Sequence, residues 1–433
     1  MKKSMLTLAF ATLAVAGGAL EAGATSSADW TDVNQMLTQA ADDGLIAGAS
    51  TIVWKNGKVV NRDVVGYRSL ETKAPLREND IFRMASTTKP VTAVCLLTLV
   101  DAGKIKLDDP IDKWIPELAN RKVVRHMTGP LDDVYPSPRP IKVEDLLTYR
   151  IGYGMAQMLP NGPLKAAIAK VDIAPNMTTD EWVAALGKLP LAAPPGSMWQ
   201  YNVSSDLMGV LIARVSGMPF DQYLKAHVLD PLKMNDTGFW VPREKLDRLT
   251  VAYAPGDNIV AQFAAGKMTD FEGPLHPFNF MGDPTVVPKR PSGAGGLYST
   301  PDDFLRFARM LMNKGELEGV RVLRPETVAL MTTNHLTPEQ RNRSPGTSVA
   351  TVQNMWATRG FGYGVSVLTE DGPEFATGAY GWPGAFGTQW TNDPKRQVIV
   401  LYFIQRMGDG NDNAPLYRKW LALTAKHLSS AQK

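Results

Sequence analysis

Residues 81–111, IFRMASTTKPVTAVCLLTLVDAGKIKLDDPI, combine a polar start with a long apolar run. The pattern predicts a buried helix from Phe82 that ends at Gly103, with Ser86 and Lys89 near its beginning. Side chains three positions apart share one helix face, with Cβ atoms roughly 5–6 Å apart. A serine hydroxyl is a weak nucleophile until a base takes its proton, and a desolvated lysine can act as that base. The stretch therefore predicts a nucleophile and its proton acceptor at the mouth of a buried helix.

The serine–lysine spacing alone is a weak signal. The same spacing recurs at Ser430 and Lys433 in the C-terminal tail. A helix-capping Ser86 beside a solvated Lys89 explains the pair equally well. The apolar run after Lys89 favours the chemical interpretation, because it places the pair next to a core.

On both sides of this stretch, the patterns indicate one sheet built from both ends of the chain. Asn56-Gly57 separates two β-prone runs and predicts a hairpin. The middle of the chain, from about 104 to 287, is mostly helical with Pro- and Gly-rich loops. The predicted class is α/β (α+β), with an inserted helical lobe over about 84–289 and a sheet lobe over about 28–83 and 290–433. Between two such lobes a ligand cleft is expected. The β-prone runs of the final third are Phe361 to Leu368, Gly384 to Thr391 and Gln397 to Gln405.

The N-terminus has the layout of a secretory signal peptide. Lys2 and Lys3 precede an apolar run from about 5 to 20, and Ala22-Gly23-Ala24 offers a small-residue cleavage site. The alternative is a membrane anchor, for which the run is short. We expect cleavage after Ala24 to remove residues 1–24 and to leave residues 25–433 as one domain. This mature chain is expected in a bacterial periplasm, without stable membrane insertion. Its one cysteine, Cys95, excludes an internal disulfide.

Several function classes find no support in the sequence. A formal net charge of +3 gives no reason to expect a nucleic-acid partner. There is no P-loop, dinucleotide motif or Gly-x-Ser-x-Gly elbow. No cofactor and no metal site are therefore predicted. The histidines, which show no metal-ligand spacing, are His126, His227, His276, His335 and His427.

Ordered matches along the chain make it resemble the penicillin-recognising serine hydrolases, which comprise class C β-lactamases, D-alanyl-D-alanine peptidases and carboxylesterases of the same fold. Residues 81–111 resemble the family's nucleophile helix, and IKVEDLLTYRIG (141–152) resembles its "DLLTHTSG" segment. The later matches are PGSMWQYNVSSDLMGVLIARVSG (195–217), GAGGLYSTPDDFLRF (293–307) and GWPGAFGT (381–388). The resemblance implies a β-lactamase/transpeptidase-like fold with an antiparallel sheet flanked by helices.

The resemblance also implies a role for each matched residue. Ser86 is the acylated nucleophile, and Lys89 is its partner in proton transfer. Tyr201 matches the second-motif tyrosine that completes the base system. Trp382-Pro383-Gly384 occupies the place of the third motif, and the backbone N–H groups of Ser86 and Ala385 form the oxyanion hole. The residues expected to line the substrate cleft are Tyr149, Tyr153, Asn202, Trp382 and Gly384.

Two departures from the family pattern resemble its esterase branch. The second motif of the lactamases is Tyr-x-Asn, but Tyr201-Asn202-Val203 has no amide at the third place. Trp382 stands where the lactamases have a lysine that helps to hold a substrate carboxylate. A site without this cation has less reason to prefer carboxylate-bearing lactams or peptides.

The sequence thus predicts a serine hydrolase that forms an acyl-enzyme on Ser86 and cleaves small esters. Three alternatives remain: a β-lactamase or D-alanyl-D-alanine peptidase, a transacylase, and a binding module for cell-wall fragments. The expected partner is a small-molecule ester or amide. The physiological substrate and the oligomeric state stay open.

Overall fold

The computed structural model describes residues 29–172, 177–256, 261–262, 272–279, 281–342, 356–410 and 414–430. The predicted signal peptide, residues 1–24, lies outside the described residues, as does Lys433 of the repeated serine–lysine spacing. In the described part of the chain, no helix has the length and apolar character needed to cross a bilayer.

The largest sheet has eight antiparallel strands, drawn from both ends of the chain as predicted. In spatial order they are β12 (Arg359–Phe361), β13 (Ser366–Leu368), β14 (Tyr380–Gly381), β15 (Thr388–Asp393), β16 (Val398–Ile404), β1 (Gly48–Lys55), β2 (Lys58–Ser69) and β3 (Ala74–Pro75). The hairpin predicted at Asn56-Gly57 joins β1 to β2, with Lys55 opposite Lys58. The first and last long strands, β1 and β16, pair directly at the centre.

Shorter strand pairs lie outside this sheet. They are β4 (Phe82–Arg83) with β9 (Tyr298–Ser299), β5 (Lys122–Val124) with β6 (Val134–Pro136), β7 (Tyr253–Pro255) with β8 (Leu275–Pro277), and β10 (Glu316–Leu317) with β11 (Val320–Arg321). The α-helices of the described residues are α1 (Thr31–Asp42), α2 (Thr88–Asp101), α3 (Val143–Leu147), α4 (Pro163–Asp172), α5 (Thr179–Gly187), α6 (Val203–Ser216), α7 (Phe220–Leu224), α8 (Pro301–Met312), α9 (Pro325–Met331), α10 (Pro338–Asn342) and α11 (Pro415–Ser430).

Both faces of the central strands are covered. Along β16, Leu401 and Phe403 face the large core shared with α2 and α8, whereas Val400 and Tyr402 face a second core. This alternation follows from the two-residue period of a strand. Helices α1 and α11 close the second core, in which Trp420 is fully buried. A strand covered on both faces reads as a continuous apolar run, as Val398–Ile404 does.

The predicted helix from Phe82 to Gly103 begins later than its sequence pattern indicates. Phe82 and Arg83 pair with β9, and Ala85–Thr87 forms one turn of 3₁₀-helix before α2 starts at Thr88. Ala85 has a φ of 44°, which a regular helix does not allow. Ser86 is therefore displayed on a tight turn in front of α2, while the following helix is almost entirely buried and packs against α6.

A buried aspartate on α8 predicts a pH-dependent stability. Burial raises the pKa of Asp303 from 3.8 to about 6, although the Asp236 N–H and the Thr237 hydroxyl both donate to its carboxylate. The folded chain then binds more protons at Asp303 than the unfolded chain, so this group lowers stability as pH rises from about 4 to about 6.

We expect Asp303→Asn to abolish this contribution, because the amide does not titrate. The difference in unfolding free energy, variant minus wild type, should rise by up to about 3 kcal/mol between about pH 4 and 6. Above about pH 6 this difference should stay constant. Denaturant unfolding of both proteins across this range measures the difference. Parallel curves would contradict the shifted pKa.

Candidate active site

The Lys89 side chain lies at the centre of the candidate site and is 1% exposed. Its Nζ donates to Ser86 Oγ at 3.0 Å and to the Ala294 carbonyl at 2.5 Å. The same nitrogen lies 4.5 Å from the centre of the Tyr201 ring. The structure therefore brings together Ser86, Lys89 and Tyr201, which the sequence analysis singled out. A lysine this close to a serine hydroxyl can, when neutral, receive its proton.

Threonine hydroxyls tie the Ser86 turn to the large sheet. Thr87 Oγ1 donates to the Thr388 carbonyl at 2.9 Å, and Thr388 Oγ1 donates to the Met84 carbonyl at 2.9 Å. The two hydroxyl oxygens are 3.0 Å apart. All these atoms are buried, so the hydrogen bonds hold the nucleophile turn at the first residue of β15. The position of Ser86 is thus set by residues about 300 places away in the chain.

Two backbone N–H groups lack a hydrogen-bond acceptor where the Ser86 turn meets the segment before β15. Across the described residues, neither the Ser86 nor the Ala385 N–H has a hydrogen-bond acceptor within the protein. Gly384 brings the two segments together, since a Cβ there would lie 2.2 Å from the Met84 carbonyl oxygen. Behind it, a Cβ on Gly410 would lie 2.3 Å from the Gly384 oxygen. Unpaired N–H donors on two closely packed segments beside a serine hydroxyl are the kind of groups that can stabilise an oxyanion.

Aromatic rings form the opposite side of the site. Trp382 is buried, and its indole N–H donates to the Tyr201 hydroxyl oxygen at 3.1 Å. Trp199 stacks on Tyr201 with ring centres 5.6 Å apart, and Phe361 meets Trp382 edge-on at 5.3 Å. These contacts fix the tyrosine ring over Lys89 and leave it little freedom to rotate.

The other predicted cleft residues lie at different distances from this cluster. Tyr149 is fully buried and exchanges a 2.5 Å hydrogen bond with Ser205 Oγ, although its ring packs against Tyr201. Burial raises the pKa of Tyr149 well above its usual value. Asn202 adjoins Tyr201 with φ 89° and ψ −66°, a strained γ-turn conformation, just before α6 begins.

Tyr153 is not brought into the cluster. It is fully buried, and its hydroxyl donates to the Leu189 carbonyl at 2.7 Å while Arg121 Nη2 lies 2.6 Å from it. Burial raises the pKa of Tyr153 to about 12. The hydroxyl also donates to the Leu186 carbonyl of α5 at 3.0 Å, so Tyr153 supports the packing of that helix rather than facing Ser86. No local pattern could indicate this, because Arg121 lies 32 positions away.

The sequence analysis missed two residues of the cluster. The Ala294 carbonyl accepts a hydrogen bond from Lys89, and the Asp206 carboxylate accepts one from the Ala294 N–H at 3.2 Å. A backbone carbonyl has no sequence signature. Asp206 could have been noticed as the one acidic residue in the first turn of α6, within the quoted stretch 195–217.

Taken together, the site offers a nucleophile, a buried lysine and tyrosine for proton transfer, and two open N–H donors. No group of His, Cys, Asp and Glu within the described ranges could hold a metal ion. Such a set is equipped for acyl transfer through a covalent serine ester.

Comparison with known sequences agrees with this chemistry. The sequence profile of the family described as Beta-lactamase matches residues 33–424. The Mycobacterium tuberculosis protein Rv1367c is 38% identical over 388 residues, which cover 87% of this chain and 90% of that protein. Esterase EstB of Burkholderia gladioli is 29% identical over 393 residues, covering 87% of this chain and 91% of the esterase.

Solved structures share the fold. EstCE1, described as a hydrolase with promiscuous acyltransferase activity, superimposes with a TM-score of 0.72 at 23% identity and covers 94% of this chain and 99% of its own. Unliganded simvastatin synthase from Aspergillus terreus gives a TM-score of 0.74 at 21% identity, covering 94% of this chain and all of that one. At these identities the likeness establishes the fold alone.

Because Tyr149 is hydrogen-bonded to Ser205, a mutation can distinguish its structural role from the role expected of Tyr201. We expect Tyr149→Phe to lower the unfolding free energy by about 1–3 kcal/mol, because Ser205 Oγ is left buried without its partner. The acylation rate should stay within about threefold of the wild type, since general-base assistance worth roughly 10²–10⁴-fold is not removed.

Tyr201→Phe is the matched comparison: its loss of stability should be similar, because the Trp382 indole N–H loses its acceptor, but acylation should slow by at least about 100-fold. Thermal melts and pre-steady-state acylation rates measure both effects. Equal kinetic losses in the two variants would contradict this assignment of roles.

Proposed function

Because this chain belongs to the β-lactamase family of serine hydrolases, we propose that it is a carboxylesterase that carries the acyl group of a small ester on Ser86. The observation that supports this most directly is the 3.0 Å contact between Lys89 Nζ and Ser86 Oγ beneath the Tyr201 ring. The contact sets the Lys89 amine against a partly exposed hydroxyl, which supports a role for Lys89 as the proton acceptor.

In the first half-reaction, Ser86 Oγ bonds to the ester carbonyl carbon and gives up its proton to the Lys89–Tyr201 pair. The carbonyl oxygen becomes an oxyanion, which the Ser86 and Ala385 N–H groups are placed to stabilise. The C–O bond to the alcohol then breaks, and the leaving alkoxide takes the proton back. In the second half-reaction, water attacks the acyl-enzyme by the same proton route and releases the acid.

The replacement of a lysine by Trp382 favours esters over lactams. The indole N–H donates to the Tyr201 oxygen, so this position reinforces the tyrosine instead of presenting a cation to a substrate carboxylate. Around Ala385 the surface is apolar, with Phe278 and Met281 half-buried beside Ala85 and Phe386. Such a surface suits an uncharged substrate with apolar groups.

Relatives point in the same direction. Alongside EstB, a lovastatin esterase of Penicillium rubens is 29% identical over 387 residues. Acyltransferase calJ of Penicillium decumbens, at 27% identity over 370 residues, supports acyl transfer to an alcohol as the second candidate. In both reactions Ser86 is acylated first, and the two differ only in whether water or an alcohol removes the acyl group. We further propose that the chain acts in a bacterial periplasm after removal of residues 1–24.

The nucleophile assignment is tested by Ser86→Ala. We expect turnover of p-nitrophenyl butyrate to fall by several orders of magnitude, because the nucleophile is removed. The variant should stay folded and lose about 1 kcal/mol of stability, because Lys89 loses one hydrogen-bond acceptor. A fluorophosphonate probe should label the wild type on Ser86, located by peptide mass spectrometry, and leave the variant unlabelled. Ser137→Ala, which removes a surface hydroxyl bonded to the Arg139 carbonyl, is the control. More than a few per cent residual activity would place the nucleophile elsewhere.

The substrate class is tested by comparing p-nitrophenyl butyrate with nitrocefin and a D-alanyl-D-alanine peptide. We expect kcat/KM for the ester to exceed that for either amide by at least about 100-fold, because Trp382 stands where the lactamases have the lysine that helps to hold a substrate carboxylate. Adding an alcohol acceptor and analysing the products distinguishes hydrolysis from transacylation. Comparable kcat/KM values for nitrocefin and the ester would overturn the esterase proposal.

A further inference from the structure

The Asp206 carboxylate holds the loop from which Lys89 receives its backbone contact. A single oxygen of Asp206, Oδ1, accepts hydrogen bonds from Ser292 Oγ at 2.8 Å and from the Ala294 N–H at 3.2 Å. The Ala294 carbonyl in turn accepts the hydrogen bond from Lys89 Nζ at 2.5 Å. Asp206 is therefore two hydrogen bonds away from the candidate proton acceptor without touching it.

The loop carrying Ala294 runs between helices α2 and α6. From α2, Thr92 Oγ1 donates to the Gly293 carbonyl at 2.9 Å. On the α6 side, a Cβ at Gly293 would lie 2.3 Å from the Ser205 carbonyl oxygen, so the loop backbone is in close contact with that helix. Among the described residues, Asp206 supplies the carboxylate that anchors this loop.

Helix α6 thereby connects both proton-handling groups. Tyr201 lies two residues before α6 begins, and Asp206 lies in its first turn. The start of α6 thus helps to position both the Tyr201 ring and the Ala294 carbonyl. Lys89 Nζ lies between them, 4.5 Å from the ring centre and 2.5 Å from the carbonyl oxygen.

We infer that Asp206 is a positioning residue for proton transfer, which acts by holding the Ala294 carbonyl where it directs Lys89 Nζ toward Ser86 Oγ. If the Ala294 carbonyl is displaced, the buried Lys89 Nζ turns toward the acceptors that remain, and its contact with Ser86 Oγ lengthens. A misplacement of about 1 Å at a reacting group can cost roughly 100-fold in rate. The inference rests on the proposed function, because it presupposes that Lys89 serves the acylation of Ser86.

Two substitutions separate position from charge. Asp206→Ala removes both hydrogen bonds to the loop. In contrast, Asp206→Asn keeps an acceptor oxygen at Oδ1, which is the atom that receives both bonds, and removes only the negative charge. A positioning role therefore predicts that asparagine rescues what alanine loses.

The matched control is Asp303→Ala on α8. Asp303 also lies in the first turn of its helix, and its Oδ2 likewise accepts from one backbone N–H and one hydroxyl, those of Asp236 and Thr237. Its partners do not contact Lys89. This variant measures what the loss of such an anchor does to stability alone.

The experiment measures pre-steady-state acylation by p-nitrophenyl butyrate in the full chain, with saturation kinetics to separate the rate constant from substrate binding. We expect Asp206→Ala to slow acylation by about 100-fold with little change in the substrate dissociation constant. Asp206→Asn should recover at least about tenfold of that loss. Asp303→Ala should melt at a lower temperature and acylate at the wild-type rate.

Three results would overturn the inference. One is an unchanged acylation rate in Asp206→Ala. Another is an asparagine variant as slow as the alanine variant, because a role of charge would then replace one of position. The third is an equal kinetic loss in Asp303→Ala, which would reduce the effect to general destabilisation. Fluorophosphonate labelling of wild-type Ser86 is read first, so a failure of the proposed function is recognised separately from a failure of Asp206.

Discussion

A nearly fully buried lysine side chain is the constraint around which the site is organised. Burying a polar nitrogen without hydrogen-bond partners is costly, so Lys89 requires acceptors on every side. They come from three separate parts of the chain: the turn in front of its own helix, the loop at Ala294 and the ring of Tyr201. Each acceptor must therefore be held by further contacts, and those contacts involve α2, α6 and the large sheet.

The sheet and the helices contribute different halves of the chemistry. The strand that starts at Thr388 holds the Ser86 turn through buried hydroxyls, and Gly384 allows the backbone of this segment to approach Met84. The unpaired N–H groups of Ser86 and Ala385 are therefore held in place by contacts with the sheet. The groups proposed for proton transfer, Lys89 and Tyr201, lie on the helical side, in α2 and just before α6. A substrate carbonyl entering between the two sides would meet both at once.

The aromatic surroundings make this arrangement rigid. Trp382 donates to the tyrosine oxygen, while Trp199 and Phe361 pack around the two rings. In a family whose lactamase members place a lysine at the position of Trp382, the exchange turns a substrate-binding cation into a support for the base. At this position the side chain therefore supports Tyr201 and carries no charge.

Local patterns in the sequence determined the two-ended sheet, the Asn56-Gly57 hairpin, the buried helix after Ser86 and the pairing of Ser86 with Lys89. The hairpin, the helix and the Ser86–Lys89 spacing depend on residues close in the chain, and the two-ended sheet was inferred from where the locally recognisable strands lie along it. The tertiary structure alone decided the helix start at Thr88, the placement of the Tyr153 hydroxyl beside Arg121, and the hydrogen bonds between Asp206 and the loop at Ala294. Lys89 and the Ala294 carbonyl are 205 positions apart, and a backbone acceptor leaves no mark on residue type. Such contacts exist only once packing has brought distant segments together, which is why no periodicity could predict them.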